Sequence, residues 1–237
     1  MKFAIIGDIH SNKYALKSVL DDIQRKNIDF ILSTGDLVGY LTHPNEVIEM
    51  LRKHNVLSIM GNHDQKLANA TPINIKKIKS MTLDEIYSKG SLAFNNLEIT
   101  TDNRKYLKNL PLQLKLSLKG FELLLVHGSP SKIDEYLYPD SEQLIKLSQT
   151  IDENIIISGH THIPYHLIKN GKHFINPGSV GKPKDRRYEA TYMILEITDE
   201  IRSNIVQVDY PIDELIKATK NNPFISNDLI DHLKEGY

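Results

Sequence analysis

Five times along this chain a short apolar run stops where His, Asp or Asn stands beside a glycine. The five places are Gly7-Asp8-Ile9-His10, Gly35-Asp36, Gly61-Asn62-His63-Asp64, His127-Gly128-Ser129-Pro130 and Gly159-His160-Thr161-His162. The runs before them, Phe3 to Ile6, Phe30 to Leu32, Val56 to Ile59, Glu122 to Val126 and Ile155 to Ile157, read as short buried strands. Between the first two, Asn12 to Lys26 carries Ala15, Leu16, Val19, Leu20 and Ile23 at the spacing of one helical stripe. Between the second and third, Glu46 to Lys53 is helical, with Pro44 suited to the first turn. Strand, helix, strand, helix, strand at this pitch predicts a parallel α/β layer. In such a layer, side chains at the carboxyl ends of strands converge on one crevice, and glycine lets the chain turn there.

The remainder is read more coarsely. Gln65 to Lys108 is rich in Lys, Asn and Ile and reads as several helices with loops. Leu112 to Leu118 and Glu122 to Val126 read as neighbouring strands joined at Lys119-Gly120. Tyr165 to Ile168 and His173 to Ile175 flank Asn170-Gly171, a hairpin signal. Thr191 to Thr198 and Ile205 to Val208 form a last strand pair, followed by helices over Ile212 to Thr219 and Asn227 to Lys234. No repeat or linker interrupts the 237 residues, which predicts a single domain over 1–237 with a helical cap within it at 65–110. The start, Met1 to Asp8, lacks a signal-peptide pattern, and no apolar stretch approaches the roughly 18 to 20 residues of a membrane span. The expectation is a cytoplasmic protein with no membrane partner.

The residue types restrict the chemistry. There is no Cys, so any metal must be held by His, Asp, Glu or Asn. The formal net charge of -1 argues against a stable nucleic-acid partner, whose phosphates would favour a basic protein. Asp8 and His10 stand two apart, as do His160 and His162, so on extended segments each pair faces one side. Counting Asp8, His10, Asp36, Asn62, His127, His160 and His162 gives enough donors for two divalent transition-metal ions, Mn, Ni, Fe or Zn, with Mn favoured. Two such ions about 3.5 to 4 Å apart clamp the attacking and leaving oxygens of an in-line displacement. His63 is left over from the ligand set and suits proton donation or transition-state stabilisation. Five of the ten histidines lie in these motifs; His43, His54, His166, His173 and His232 do not.

The ordered set from Asp8 to Asn176-Pro177-Gly178-Ser179-Val180 resembles the calcineurin-like metallophosphoesterase superfamily. Gly35-Asp36-Leu37-Val38-Gly39-Tyr40 and Val180-Gly181-Lys182-Pro183 are most similar to its small prokaryotic phosphodiesterase and diadenosine-tetraphosphatase-like branch. That resemblance implies an α/β fold: two mixed β-sheets packed as a sandwich, flanked by helices, with the site at one edge. It also implies that Asp8, His10, Asp36 and His162 hold one metal and that Asn62, His127 and His160 complete the second. Asp36 would bridge, His63 would be the catalytic histidine, and Asn12 would place an amide near the phosphate. The implied activity is metal-dependent hydrolysis of a phosphodiester or phosphoanhydride in a small phosphorylated or nucleotide substrate. The alternatives are a phosphomonoesterase or protein phosphatase, and a non-catalytic scaffold of the same fold.

Two departures from the family pattern bear on mechanism and substrate. Where many relatives carry an Asp three residues after the bridging Asp, to orient the catalytic histidine, this chain has Gly39. Where protein phosphatases carry arginines, it has Tyr40 and Met60. Arginine forks grip a phosphate dianion, so their absence favours a diester or anhydride. Lys182, Lys184, Arg186 and Arg187 then offer cations for a second phosphate, with Arg187 the chosen candidate, and Tyr40 offers a ring for a base.

Overall fold

Alternation along the strands determines the layering. The computed structural model describes residues 1–236 and contains two five-stranded sheets. In the first, β1 (Lys2–Ile6), β2 (Phe30–Ser33) and β3 (Leu57–Ser58) run parallel, and β9 (Ala190–Ile197) and β10 (Ile201–Val208) add antiparallel strands in the order β10-β9-β1-β2-β3. In the second, the order is β4-β5-β6-β8-β7, with β4 (Gln113–Leu118), β5 (Phe121–Val126), β6 (Ile155–Ile157), β7 (Tyr165–Lys169) and β8 (Lys172–Asn176). Here β5, β6 and β8 are parallel and the edge strands antiparallel. Both sheets are therefore mixed, as the resemblance implied.

Side chains at alternate positions go to opposite faces of each sheet. Phe3, Ile5 and Leu32 of the first sheet join Leu123, Leu125, Ile155 and Ile157 of the second in a core between the sheets. Ala4 and Ile6 face the other way, onto Leu16, Val19 and Leu20 of α1 (Lys13–Gln24) and Val47, Ile48 and Leu51 of α2 (Pro44–Lys53). The outer face of the second sheet packs Ile156 and Phe174 against Leu144 of α8 (Glu142–Thr150). Helix, sheet, sheet, helix is the result, and α9 (Ile212–Lys220) and α10 (Asp228–Glu235) add buried Leu215, Leu229 and Leu233 to the first outer layer.

After α3 (Asn62–Asn69) the chain leaves the sheets as α4 (Ile75–Lys79), α5 (Leu83–Glu85), a π-helix (Ile86–Gly90), α6 (Ser91–Glu98) and α7 (Thr101–Lys108). This is the helical stretch expected there. Three elements differ from the sequence reading. Helix α8 went unassigned, although Ser141 caps it by accepting from Leu144 N at 3.3 Å. Strand β10 begins four residues earlier, at Ile201, because Arg202, Ser203 and Asn204 mask its alternation. Strand β3 is only two residues long and forms a sheet edge; beyond it Met60 N donates to Pro111 O at 2.8 Å instead of extending the ladder. Among the described residues no helix is long and apolar enough to cross a membrane.

Candidate metal centre

The carboxyl ends of β1, β2, β3, β5 and β6 lie at one edge of the sandwich, and the five motifs follow them directly. The turns are not extended. Asp8, His10, Asp36, His160 and His162 have φ of 49, 51, 51, 65 and 61°, all left-handed. The expectation that Asp8/His10 and His160/His162 share a face of extended chain is therefore wrong in its premise. Their side chains meet because the backbone coils back at these positions, a conformation that costs energy in residues bearing a Cβ and concentrates at functional sites. Hydrogen bonds between turns hold it. Asp8 N donates to Gly35 O at 3.0 Å, Ile9 N and His10 N to Asp36 O at 2.8 and 3.0 Å, and Ser11 N to Leu37 O at 3.0 Å.

Each carboxylate is held by one oxygen and presents the other. Asp8 Oδ2 accepts from His160 N at 3.0 Å, while Oδ1 is buried with no hydrogen-bond partner among the described residues. Asp36 Oδ1 accepts from His63 N at 2.8 Å, and its Oδ2 lies 3.4 Å from His127 Nε2 and 3.7 Å from His10 Nε2. The four imidazoles follow a common rule. His10 Nδ1 meets Val38 O at 3.3 Å, His127 Nδ1 meets Thr34 O at 2.8 Å, and His162 Nδ1 meets Lys182 O. His160 reverses the ring, placing Nε2 3.2 Å from Asp134 O. A ring nitrogen on a carbonyl must carry the proton, so in the neutral ring the opposite nitrogen, Nε2 in three and Nδ1 in His160, presents a lone pair inward.

Acceptors consequently face acceptors. His10 Nε2 and His162 Nε2 are 3.2 Å apart. The Asn62 amide oxygen lies 3.0 Å from His127 Nε2, and hydrogen bonding alone would favour reversing that amide to put its nitrogen near His127, His160 and Asp36. An arrangement of lone pairs without donors is what a cation satisfies, so this donor set fits divalent metal. Ligand atoms of Asp8, His10 and His162 fall within 4.8 Å of one another, as do those of Asp36, His127 and His160 and those of His10, Asp36 and His63. The seven residues chosen as ligands are thus gathered in one place.

Electrostatics point the same way. Burial holds His10 well below its ordinary pKa and brings His160 down to about 4, so both rings are neutral near pH 7. At His127 burial opposes charge, but the Asp36 carboxylate overrides it and raises the ring to about 9, so with no metal bound Nε2 carries a second proton that a divalent ion would displace. Asp36 is in turn held well below the usual carboxylate range, against burial, by His127 and His63. The pair of buried carboxylates draws positive charge inward.

His63, at the second position of α3, lies at the rim. Its ring packs between Tyr40, at 4.6 Å and a 40° tilt, and His10, at 5.0 Å and near perpendicular. Gly39 makes room for it: at φ 102°, a Cβ there would lie 2.6 Å from His63 Nδ1. A wedge of rings over a glycine stands where the family pattern has an orienting carboxylate. Burial lowers the His63 pKa.

The substrate-side candidates fare differently. Tyr40 is beside the centre, its ring 4.7 Å from His10 and 5.5 Å from Lys182 Nζ. Asn12 has both ends of its amide engaged, Oδ1 accepting from Ala15 N at 3.0 Å as the cap of α1 and Nδ2 donating to Gly181 O at 3.1 Å. Arg187 turns to Asp185, with Nη2 at 2.8 Å from the carboxylate. Lys182 and Lys184 of the same run are more enclosed. Burial lowers Lys182 to about 8, and at Lys184 burial also lowers the pKa, opposed by Asp8 and Asp36.

Two residues went unassigned in the sequence. Asp64 accepts from Leu37 N, Val38 N and Gly61 N at 2.9, 3.1 and 2.9 Å, tying the Asp36 turn to the start of α3. Burial and the nearby Asp36 push its carboxyl up to about 7 against those donors. Its signal was an acid at the third position of a helix following a glycine cap. Tyr136 stacks on His160 at 4.2 Å and on Tyr138 at 5.6 Å, and nothing in its sequence context marks it.

A sandwich of two mixed sheets that brings such a donor set to one edge defines a class, the metallophosphoesterases. Residues 1–200 match the model of the calcineurin-like phosphoesterase superfamily domain, and the chain belongs to that superfamily. Its coarse activity follows, hydrolysis of phosphoesters dependent on divalent metal. The chain is 33% identical over 243 residues to an uncharacterised protein of Methanocaldococcus jannaschii, covering 92% of each. A metallophosphoesterase from Sphaerobacter thermophilus superimposes with a TM-score of 0.85 at 26% identity, over 100% of this chain and 99% of that one. A hypothetical protein from Pyrococcus horikoshii has the same fold, with a TM-score of 0.88 at 23% identity over 100% and 98%.

Proposed function

We propose that this chain is a dinuclear phosphodiesterase or phosphoanhydride hydrolase acting on a small phosphorylated or nucleotide substrate. Asp8, His10, Asp36 and His162 would hold one metal, and Asn62, His127 and His160 would hold the other together with Asp36. Two divalent ions there, Mn first among Mn, Ni, Fe and Zn, supply Lewis acidity and activate water near neutral pH. The observation that carries the reading is the common orientation of four imidazoles, each with one nitrogen on a backbone carbonyl and the other turned inward. Such outer hydrogen bonds fix the tautomer a metal needs.

The chain's own residues do the remaining work. The oxygen of water bonds to phosphorus and gives up one proton to solvent, the bond to the leaving oxygen breaks, and that oxygen takes a proton from solvent or through His63 at the rim, which also hydrogen-bonds to it. Tyr40 and Gly39 hold the His63 ring in place. Tyr40 and Met60 stand where arginine forks would neutralise a monoester dianion. A diester or internal anhydride carries less charge at the reacting phosphorus, and Lys182 and Lys184 meet the next phosphate. Asn12 serves as a structural pin between α1 and the Gly181 turn.

The test is a substrate panel with Mn, Ni, Fe and Zn, comparing an aryl diester, an aryl monoester, cyclic nucleotides and dinucleoside polyphosphates. A diester or dinucleoside polyphosphate is expected to exceed the monoester in kcat/KM. A monoester as best substrate overturns the reading.

A further inference from the structure

Beside the metal centre, between the π-helix and the C-terminal helix, lies a cavity of about 320 Å³. That is within the range of roughly 300 to 1,000 Å³ that small-molecule sites occupy. Tyr40 belongs to both places: its ring packs on His10 and His63 and also forms part of the cavity wall. Lys182 lines the cavity as well, with Nζ 5.5 Å from the Tyr40 ring centre. A group attached to a phosphate at the centre therefore has a route into the cavity past one aromatic ring and one cation.

The cavity is built from two unusual features. One wall is the π-helix Ile86–Gly90, a geometry that is rare and concentrates at functional sites. At its end Gly90 lets the C-terminal segment approach closely, since a Cβ there would lie 2.2 Å from Phe224 O. The facing wall, Ile225 to His232, follows directly from that contact. The helical excursion after α3 and the last helix, far apart in sequence, thus close one compartment.

The lining is mixed in a particular way. Ile86, Ile225 and Leu229 are apolar and Tyr87 is aromatic, while Asp228 offers a carboxylate. The Ser91 hydroxyl, also in the lining, is buried with no hydrogen-bond partner among the described residues. An alkyl chain would leave the Asp228 carboxylate unmatched and the Ser91 hydroxyl a buried unpaired polar group, the second at a direct cost. A bare sugar would leave the tyrosines and aliphatic side chains unmatched. A nucleoside matches both, with a planar face for the rings and N–H and O–H donors for the carboxylate and hydroxyl.

We infer that this cavity is a nucleoside-binding site, which holds the organic group of the substrate while its phosphate lies at the metal centre. The inference rests on the phosphoesterase reading of that centre and deepens it, giving the helical excursion a recognition role.

The test uses the full chain loaded with Mn and two probes, adenosine monophosphate and inorganic phosphate, with binding measured by calorimetry. Adenine is chosen because its exocyclic amine can donate to Asp228. Adenosine monophosphate is expected to bind at least about tenfold tighter than phosphate, the scale of one stacked base. Ser88→Trp, which places a large ring in the cavity from an exposed helical position, should reduce that ratio to about twofold, and Asp228→Ala, at a second exposed position, should reduce it in the same direction. No preference for the nucleotide in the wild type, or a preference unchanged in both variants, overturns the assignment. Turnover of bis(p-nitrophenyl) phosphate is measured alongside. Its absence would count against the metal mechanism, whereas the binding ratio would still decide the cavity.

Discussion

The metal centre and the helical excursion after α3 both depart from regular backbone, but in opposite ways. At the centre the irregular residues are buried, and each turn is bonded to another turn from a distant part of the chain, as Asp8 is to Gly35 and His160. In the excursion the caps are local, and the tie to the centre runs through α6, where Asn95 Oδ1 accepts from Ser11 Oγ at 2.7 Å and Gly39 N at 3.1 Å and its Nδ2 donates to Leu41 O at 2.9 Å. Asn74 caps Lys77, Thr82 caps Glu85 and Thr100 caps Asn103, and Leu83 is 84% exposed. Long-range bonding makes the donor geometry a property of the whole sandwich. Local bonding over Asn74 to Glu85 lets that stretch of the excursion shift without moving a donor, which suits a surface that recognises rather than reacts. Changes at the centre should therefore abolish chemistry, and changes in the exposed stretch from Asn74 to Glu85 should leave metal and stability intact.

The largest expected effect is from Asp36→Asn. Removing the shared negative charge weakens both metals, and the loss in kcat/KM should exceed about 10⁴-fold, beyond what one positioned proton donor supplies. Metal analysis of the variant checks it: two tightly bound ions with near-normal turnover would assign the bridge elsewhere.

A smaller, sharper pair is His63→Ala and Gly39→Ala. The first should lose about 10² to 10⁴ in kcat while retaining both metals. The second places a Cβ against the His63 ring and should cost up to about 10²-fold through misplacement alone. Metal loss in His63→Ala would make that residue a ligand, and an unaffected Gly39→Ala would mean the ring is held by something other than the wedge.

The smallest effect should come from Leu83→Ser in the excursion. Its stability by thermal unfolding should change by no more than about 0.5 kcal/mol, as for other exposed positions. A large loss would show that the stretch around Leu83, and not α6 alone, is structurally tied to the sandwich.

The sequence made the centre legible because its donors sit at strand ends, where hydrophobic runs and glycines announce themselves. Asp8, Asp36 and His127 needed no knowledge of the turns between them. The path of those turns was not legible: spacing two apart suggested extended chain, whereas Asp8 and His10 are left-handed. Residues that act through packing were also hidden. Tyr136 stacks on His160 from a loop with no periodicity, and the sequence favours Arg187 over Lys184 for a second phosphate, whereas the fold turns Arg187 to Asp185 and encloses Lys184. The edge strands were legible in existence but not in extent, since β3 pairs over only two of the four residues read as strand and the weak alternation of β10 hides its first four.

The central claim is that two metals share one buried donor set and that hydrolysis depends on both. It is tested most directly by stripping the protein with chelator and titrating Mn back while following hydrolysis of an aryl diester. The account predicts no activity in the stripped protein and a rate that saturates only at two equivalents of bound metal. Full activity in the metal-free protein, or a plateau at one equivalent, would contradict it.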